Sequence, residues 1–152
     1  MSDIPHPLAR ANHPESPLTR PLTIHIDGAS RGNPGPSAVG ILIRGSDGKE
    51  IKRLSEYIGH ATNNTAEYMA FIFALQESLY LKADRIEVFT DSELLARQFA
   101  GEYRVKDALI RLFQKQIKHL MSFFSNVSVR HIPREENSEA DRLANRAIEE
   151  ML

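Results

Sequence analysis

Four carboxylates stand out in this 152-residue chain by where they fall: Asp27, Glu67, Asp91 and Asp141. Asp27 closes the alternating run "LTIHID", in which Leu22, Ile24 and Ile26 share one strand face and Thr23, His25 and Asp27 the other. Asp91 directly follows a second short strand, "RIEVFT". If a helical crossover lays that strand parallel to and beside the first, the two aspartates come to the same end of neighbouring strands, roughly 5 Å apart. Carboxylates so close repel, and they persist only when protonated, salt-bridged or bridged by a hard cation. Mg2+ and Mn2+ prefer oxygen ligands and suit such a site. Cysteine is absent, so any metal is held by oxygen or histidine, and neither a disulfide framework nor a thiolate nucleophile exists.

Each acid except Asp27 also has a structural reading. Glu67 stands three residues after Asn64 and Asp141 three after Ser138, the spacing of a capping box, and Asp91 is placed to cap the helix it precedes. The apolar stripe Ala140, Leu143, Ala144, Ala147, Ile148, Met151 puts Asp141 at the edge of a buried face.

The glycine-rich loop after Asp27 poses its own question. A phosphate cradle of the dinucleotide type needs a helix whose N-terminal amides receive the anion. Here Pro34 and Pro36 stand where that helix would run, and "SAVGILIRG" follows as a β-branched strand pattern. The loop therefore reads as a hairpin beside Asp27.

The elements that must position these residues follow from periodicity. After the hairpin, "GKEIKRLSEYIG" completes a three-strand antiparallel meander. A helix from Asn64 to about Leu81 is apolar on most sides and reads as largely buried. "RIEVFT" is the fourth strand, "DSELLARQFAG" a helix begun by Asp91 and stopped by Gly101, "KDALIRLFQKQIKHLMSFF" a further helix, "NVSVRHI" the fifth strand and "NSEADRLANRAIEEML" a terminal helix. The order βββαβααβα makes an α/β fold, a mixed sheet with helices on its faces.

Composition is that of an ordinary globular domain, 41% hydrophobic and 26% charged. The Pro-rich residues 1–21 lack an apolar signal core and read as a disordered tail, with a single domain over 22–152. No apolar stretch is long enough to span a membrane, and the cytoplasm is the expected location. A net charge of −1 argues against bulk electrostatic grip on nucleic acid. Yet seven basic residues against one acid lie between Tyr103 and Arg134, and Arg111, Lys115 and Lys118 share a helix face. A solvated face and a nucleic-acid contact are both open readings of that stripe.

Taken together, "HIDGASRGNPGPSAVGILI", "TNNTAEYMAFIFAL", "VFTDSELLARQFAG" and "PREENSEADRLANRAI" resemble the type 1 ribonuclease H family, in matching order over residues 22–150. The resemblance implies a ribonuclease H-like fold: a five-stranded mixed sheet of order 3-2-1-4-5 with helices on both faces. It implies hydrolysis of the RNA strand of RNA/DNA hybrids by two Mg2+ or Mn2+ ions at Asp27, Glu67, Asp91 and Asp141. Asp27 would bridge both ions, with Glu67 and Asp91 on one and Asp141 on the other. Glu67 would lie near the ribose 2′-hydroxyl, by which RNA is told from DNA. The backbone amides of Gly28, Ala29 and Ser30, with Asn33, Asn63 and Asn64, match the family's RNA-strand contacts, and Thr62 matches its pocket for a DNA-strand phosphate.

Two departures from that pattern matter. The chain has no tryptophan-bearing basic protrusion and resembles the compact branch of the family, so a monomer, with a protein partner supplying extra grip, is the expectation. The family also often places a histidine in the mobile loop before the last acid. His131 has the right offset but ends the fifth strand, whereas Arg134 follows Pro133 in the connection, so Arg134 is the expected accessory residue and His131 its rival. The alternative function, a non-catalytic or differently specific nucleic-acid-binding protein of the same fold, would ordinarily lack one of the four acids.

Overall fold

The computed structural model describes residues 20–102 and 105–152. Nearly all of the expected tail lies outside the described residues, as do Tyr103 and Arg104. Strand β1 spans Pro21–Ser30 and so takes in the last residue assigned to that tail. It continues three residues past Asp27, contrary to the sequence reading, because β2 (Gly35–Gly45) keeps pairing with it as far as Ser30↔Ser37. Strand β3 spans Glu50–Ala61, and helix α1 (Asn63–Tyr80) leads on to β4 (Arg85–Thr90). Then come α2 (Glu93–Phe99), α3 (Ala108–Met121), β5 (Asn126–His131), a 3-10 turn at Arg134–Asn137, and α4 (Ser138–Met151).

The strands form one five-stranded sheet in the order β3-β2-β1-β4-β5. The meander is antiparallel, with Asp27 opposite Gly40, while β4 lies parallel to β1 and β5 parallel to β4. Register places Ile26 beside Thr90 and Thr90 beside His131, so β4 and β5 end together at the level where β1 reaches Asp27.

Alternation along β1 and β2 divides the core. Leu22, Ile24, Ile26, Val39, Ile41 and Ile43 pack on one face against α1, joined by Leu95 of α2 and Ile110 and Ile117 of α3. On the opposite face Ala38 packs with Ala147 and Ile148 of α4. Burying these side chains on both faces supplies the main drive for folding, roughly 1.5–3 kcal/mol for each large aliphatic group.

The helix starts differ from the sequence reading. Thr62, two residues before Asn64, caps α1 by accepting the Thr65 N–H. Ser92 caps α2 by accepting the Leu95 N–H, and Asp107 caps α3. No side-chain cap closes the start of α4. Glu67, Asp91 and Asp141 are therefore free of the capping role, and their carboxylates are available for something else.

Candidate active site

Asp27 within β1, Asp91 just past β4 and Glu67 of α1 come together at this level of the sheet. One carboxylate oxygen from each of Asp27, Glu67 and Asp91 lies within 4.8 Å of the others. Asp141, from the first turn of α4 on the other face, approaches Asp27 closely enough to share a hydrogen bond with it. Asp27 and Glu67 are each only 5% exposed, a costly place for two like charges.

Local structure explains how each acid arrives. Glu67 reaches the site because α1 lies directly against Gly28: a side chain there would put its Cβ 2.2 Å from the Ala66 carbonyl carbon. That contact lets the Gly28 N–H donate to Glu67 Oε1 at 3.0 Å. On the other face Gly40, opposite Asp27, admits α4: a Cβ at Gly40 would meet the Ala140 oxygen at 2.1 Å. Asp141 is held within its own helix, its Oδ1 accepting from Asn145 Nδ2 at 3.2 Å.

The electrostatics follow. Burial first, then the charges of Glu67 and Asp91, then Asp141, push Asp27 well above the ordinary carboxylate range. Burial and then Asp91 raise Glu67, against the opposing pull of the Gly28 N–H and Arg134. Asp91 is raised by burial and opposed by a hydrogen bond from Asn137 and by the charges of Arg134 and His131. An all-oxygen donor set that otherwise retains protons is one that a hard divalent cation would relieve, so the residues present fit such an ion.

The remaining expected residues make contacts of their own. Ser30 Oγ donates to the Ala61 carbonyl and Asn33 Oδ1 accepts the Asn63 N–H, which ties the hairpin tip to the start of α1. Thr62 uses its hydroxyl as the α1 cap, and Asn64 keeps a buried Oδ1 without a protein partner. Ala29 packs against the Ala38 cluster beneath α4. The close approach at Gly28 is made by α1, and its amide is already engaged by Glu67, so the glycine's first task is intramolecular.

Arg134 and His131 are both exposed, and both lie near enough to the acids for their charges to act on Asp91. The segment "REEN" forms a 3-10 turn, in which the Glu136 N–H donates to the Pro133 carbonyl at 2.9 Å. At its end stands Asn137, which sequence reasoning missed. It is 1% exposed, and its Nδ2 donates to the Ile26 carbonyl at 2.8 Å and to Asp91 Oδ2 at 3.3 Å. The signal was present: Asn137 precedes Ala140 by three and Ala144 by seven, so it continues the buried stripe of α4.

Comparisons with known proteins agree with this geometry. Residues 25–147 match the family model described as reverse transcriptase-like. The chain is 40% identical to a ribonuclease HI of Halobacterium salinarum over 83% of this chain and 63% of that protein. It is 38% identical to a ribonuclease H of Methylococcus capsulatus over 84% of this chain and 89% of that protein. It also spans 35% of a bifunctional protein of Mycobacterium tuberculosis, to which it is 37% identical. Among solved structures, LC11-RNase H1 in complex with an RNA/DNA hybrid superposes with a TM-score of 0.81 at 40% identity, covering 86% of this chain and 98% of that one. Shared strand order, the convergence of the acids and this coverage lead to one conclusion: the chain belongs to the ribonuclease H family.

Proposed function

We propose that the chain is a metal-dependent endonuclease that hydrolyses the RNA strand of RNA/DNA hybrids. The observation that carries the proposal is the meeting of Asp27, Glu67 and Asp91 within 4.8 Å at one strand edge, with Asp141 beside Asp27. These four residues would hold two Mg2+ or Mn2+ ions, a number and choice that belong to this reading. When bound, such ions supply Lewis-acid stabilisation of charge at phosphorus and a more acidic attacking water.

The chain's own residues do the rest. Burial of Asp27 and Glu67 fixes their carboxylates in the donor set before substrate arrives. In this reading Ser30, Asn33, Asn63 and Asn64 contact the RNA strand, and Thr62 contacts a DNA-strand phosphate. Arg134 offers two parallel donors to a phosphate oxygen. Arg111, Lys115 and Lys118 on the exposed side of α3 supply phosphate contacts in place of a protrusion. The same reading has the chain working as a monomer in the cytoplasm, with a partner protein adding affinity. Among the described residues no helix is long and apolar enough to cross a membrane.

The test is cleavage of end-labelled RNA/DNA hybrid, double-stranded RNA and DNA duplex, each with Mg2+ and with chelator. Cutting of the RNA strand of the hybrid in Mg2+ alone is expected. Hybrid binding without cutting in any divalent ion would contradict the proposal and favour a binding module.

A further inference from the structure

We propose that Asn137 is a positioning residue that fixes the Asp91 carboxylate in the orientation that takes up a divalent ion. The proposal rests on the metal-dependent reading of the acid cluster. Asp91 directly follows β4 and does not cap the helix after it, because Ser92 caps α2. Apart from the neighbouring charges, its orientation is set by the Asn137 amide, which spans the gap between Asp91 Oδ2 and the Ile26 carbonyl of β1. One side-chain nitrogen thus joins the residue before Asp27 to the carboxylate of Asp91. A carboxylate held on one oxygen leaves the other free to face the cluster, and partners of this kind tune metal sites as strongly as many ligands do.

The burial of Asn137 supports a role beyond packing. Its Oδ1 is buried without a protein partner, an expense a purely structural position would ordinarily shed by using an apolar side chain of similar size. The amide is kept because its N–H bonds are needed. They also tie to the sheet the end of the 3-10 turn that carries Arg134 and leads into the helix bearing Asp141.

The experiment is calorimetric titration of Mn2+ into the free protein, without substrate, for wild type, Asn137→Ala, Asp91→Asn and the double variant. Asn137→Ala should bind Mn2+ roughly tenfold more weakly. In the Asp91→Asn background the same substitution should cause no further loss of affinity, while its effect on Tm is the same in both backgrounds. Asn137→Ser, which leaves room for a water, serves as the second variant should alanine prevent folding. In the native protein the Asn137 side-chain amide resonances should shift on Mg2+ titration with the midpoint of the calorimetric curve. Unchanged Mn2+ affinity with only a lowered Tm would make Asn137 a packing residue and overturn the proposal, as would an equal affinity loss in both backgrounds. Failure of the wild type itself to bind Mn2+ would instead overturn the metal-dependent reading.

Discussion

Asp27 has a glycine on either side of it, Gly28 next along its strand and Gly40 across the ladder, and the two admit different helices. Gly28 lets α1 come down on one face with Glu67, and Gly40 lets α4 come down on the other with Asp141. The two acids are nevertheless held differently. Glu67 is anchored to another element through the Gly28 N–H and is almost fully buried. Asp141 is anchored to Asn145 one turn along its own helix and is half-buried. The contrast teaches that Glu67 is placed by a bond to the strand itself, whereas Asp141 is placed by its helix, which Gly40 seats against the sheet.

Substituting the two glycines is the most forceful way to break this comparison. Gly28→Ala should cost roughly 1–3 kcal/mol in urea unfolding, because the added Cβ meets main-chain atoms that cannot rotate away. It should lower hybrid cleavage by about a hundredfold, since Glu67 loses both its position and its donor. Gly40→Ala should cost similar stability but a smaller share of activity. Equal activity losses would show that both acids depend on strand geometry alike.

The accessory residue offers a second separation. The charge of Arg134 acts on both Glu67 and Asp91, while that of His131 acts on Asp91. Arg134→Ala should lower kcat about tenfold or more, the equivalent of one lost charge-assisted hydrogen bond. His131→Ala removes an exposed side chain and should change stability by less than about 0.5 kcal/mol. A roughly tenfold loss of kcat in His131→Ala, with Arg134→Ala fully active, would reverse the assignment.

Basic residues extend the contrast between the two faces. On α4, Arg142 pairs with Glu139 and Arg146 with Glu150, so their charge is spent within the helix. On α3, Arg111, Lys115 and Lys118 are exposed, and none is ion-paired among the described residues. Replacing those three together by alanine should reduce the slope of log affinity against log salt by roughly 2 to 3, and replacing Arg142 and Arg146 should leave it nearly unchanged. An unaltered slope in the α3 variant would return its stripe to a solvated face.

A smaller effect appears in stability against pH. The folded state raises Glu67 above the ordinary carboxylate range, near pH 4 in an unfolded chain, and so binds more protons than the unfolded state. Stability in chelator must then fall as pH rises from that range through the raised value. Glu67→Gln does not titrate and keeps an acceptor for Gly28. Its Tm advantage over wild type should be small at pH 5.5 and grow by about 2–4 °C at pH 8.5. A constant difference would mean that Glu67 carries no such burden.

Much of this was legible in the sequence, for physical reasons that particular residues show. Alternation through Leu22, Ile24 and Ile26 set the faces of β1, and the βαβ crossover rule placed "RIEVFT" parallel beside it, so Asp27 and Asp91 could be brought to one edge. The start of α1 was harder to read because Thr62 and Asn64 both fit a capping pattern, and only the fold shows which hydroxyl or amide meets the N–H groups. Asn137 was read only as the start of the terminal helix because its partner, the Ile26 carbonyl, is 111 residues away. Gly40 lay hidden inside an apolar strand pattern, since periodicity reports which side chains are buried and is silent on where backbones must touch.

The central claim, that Asp27 is the carboxylate on which the site is built, is tested most directly by Asp27→Asn. Hybrid cleavage and Tm should be measured together, the first in Mg2+ and the second in chelator at the same pH. The account predicts a folded protein without detectable RNA cleavage and with a Tm at or above that of wild type, because a neutral amide carries neither the burial cost of the Asp27 carboxylate nor its repulsion by Glu67 and Asp91. Wild-type turnover by this variant would contradict it.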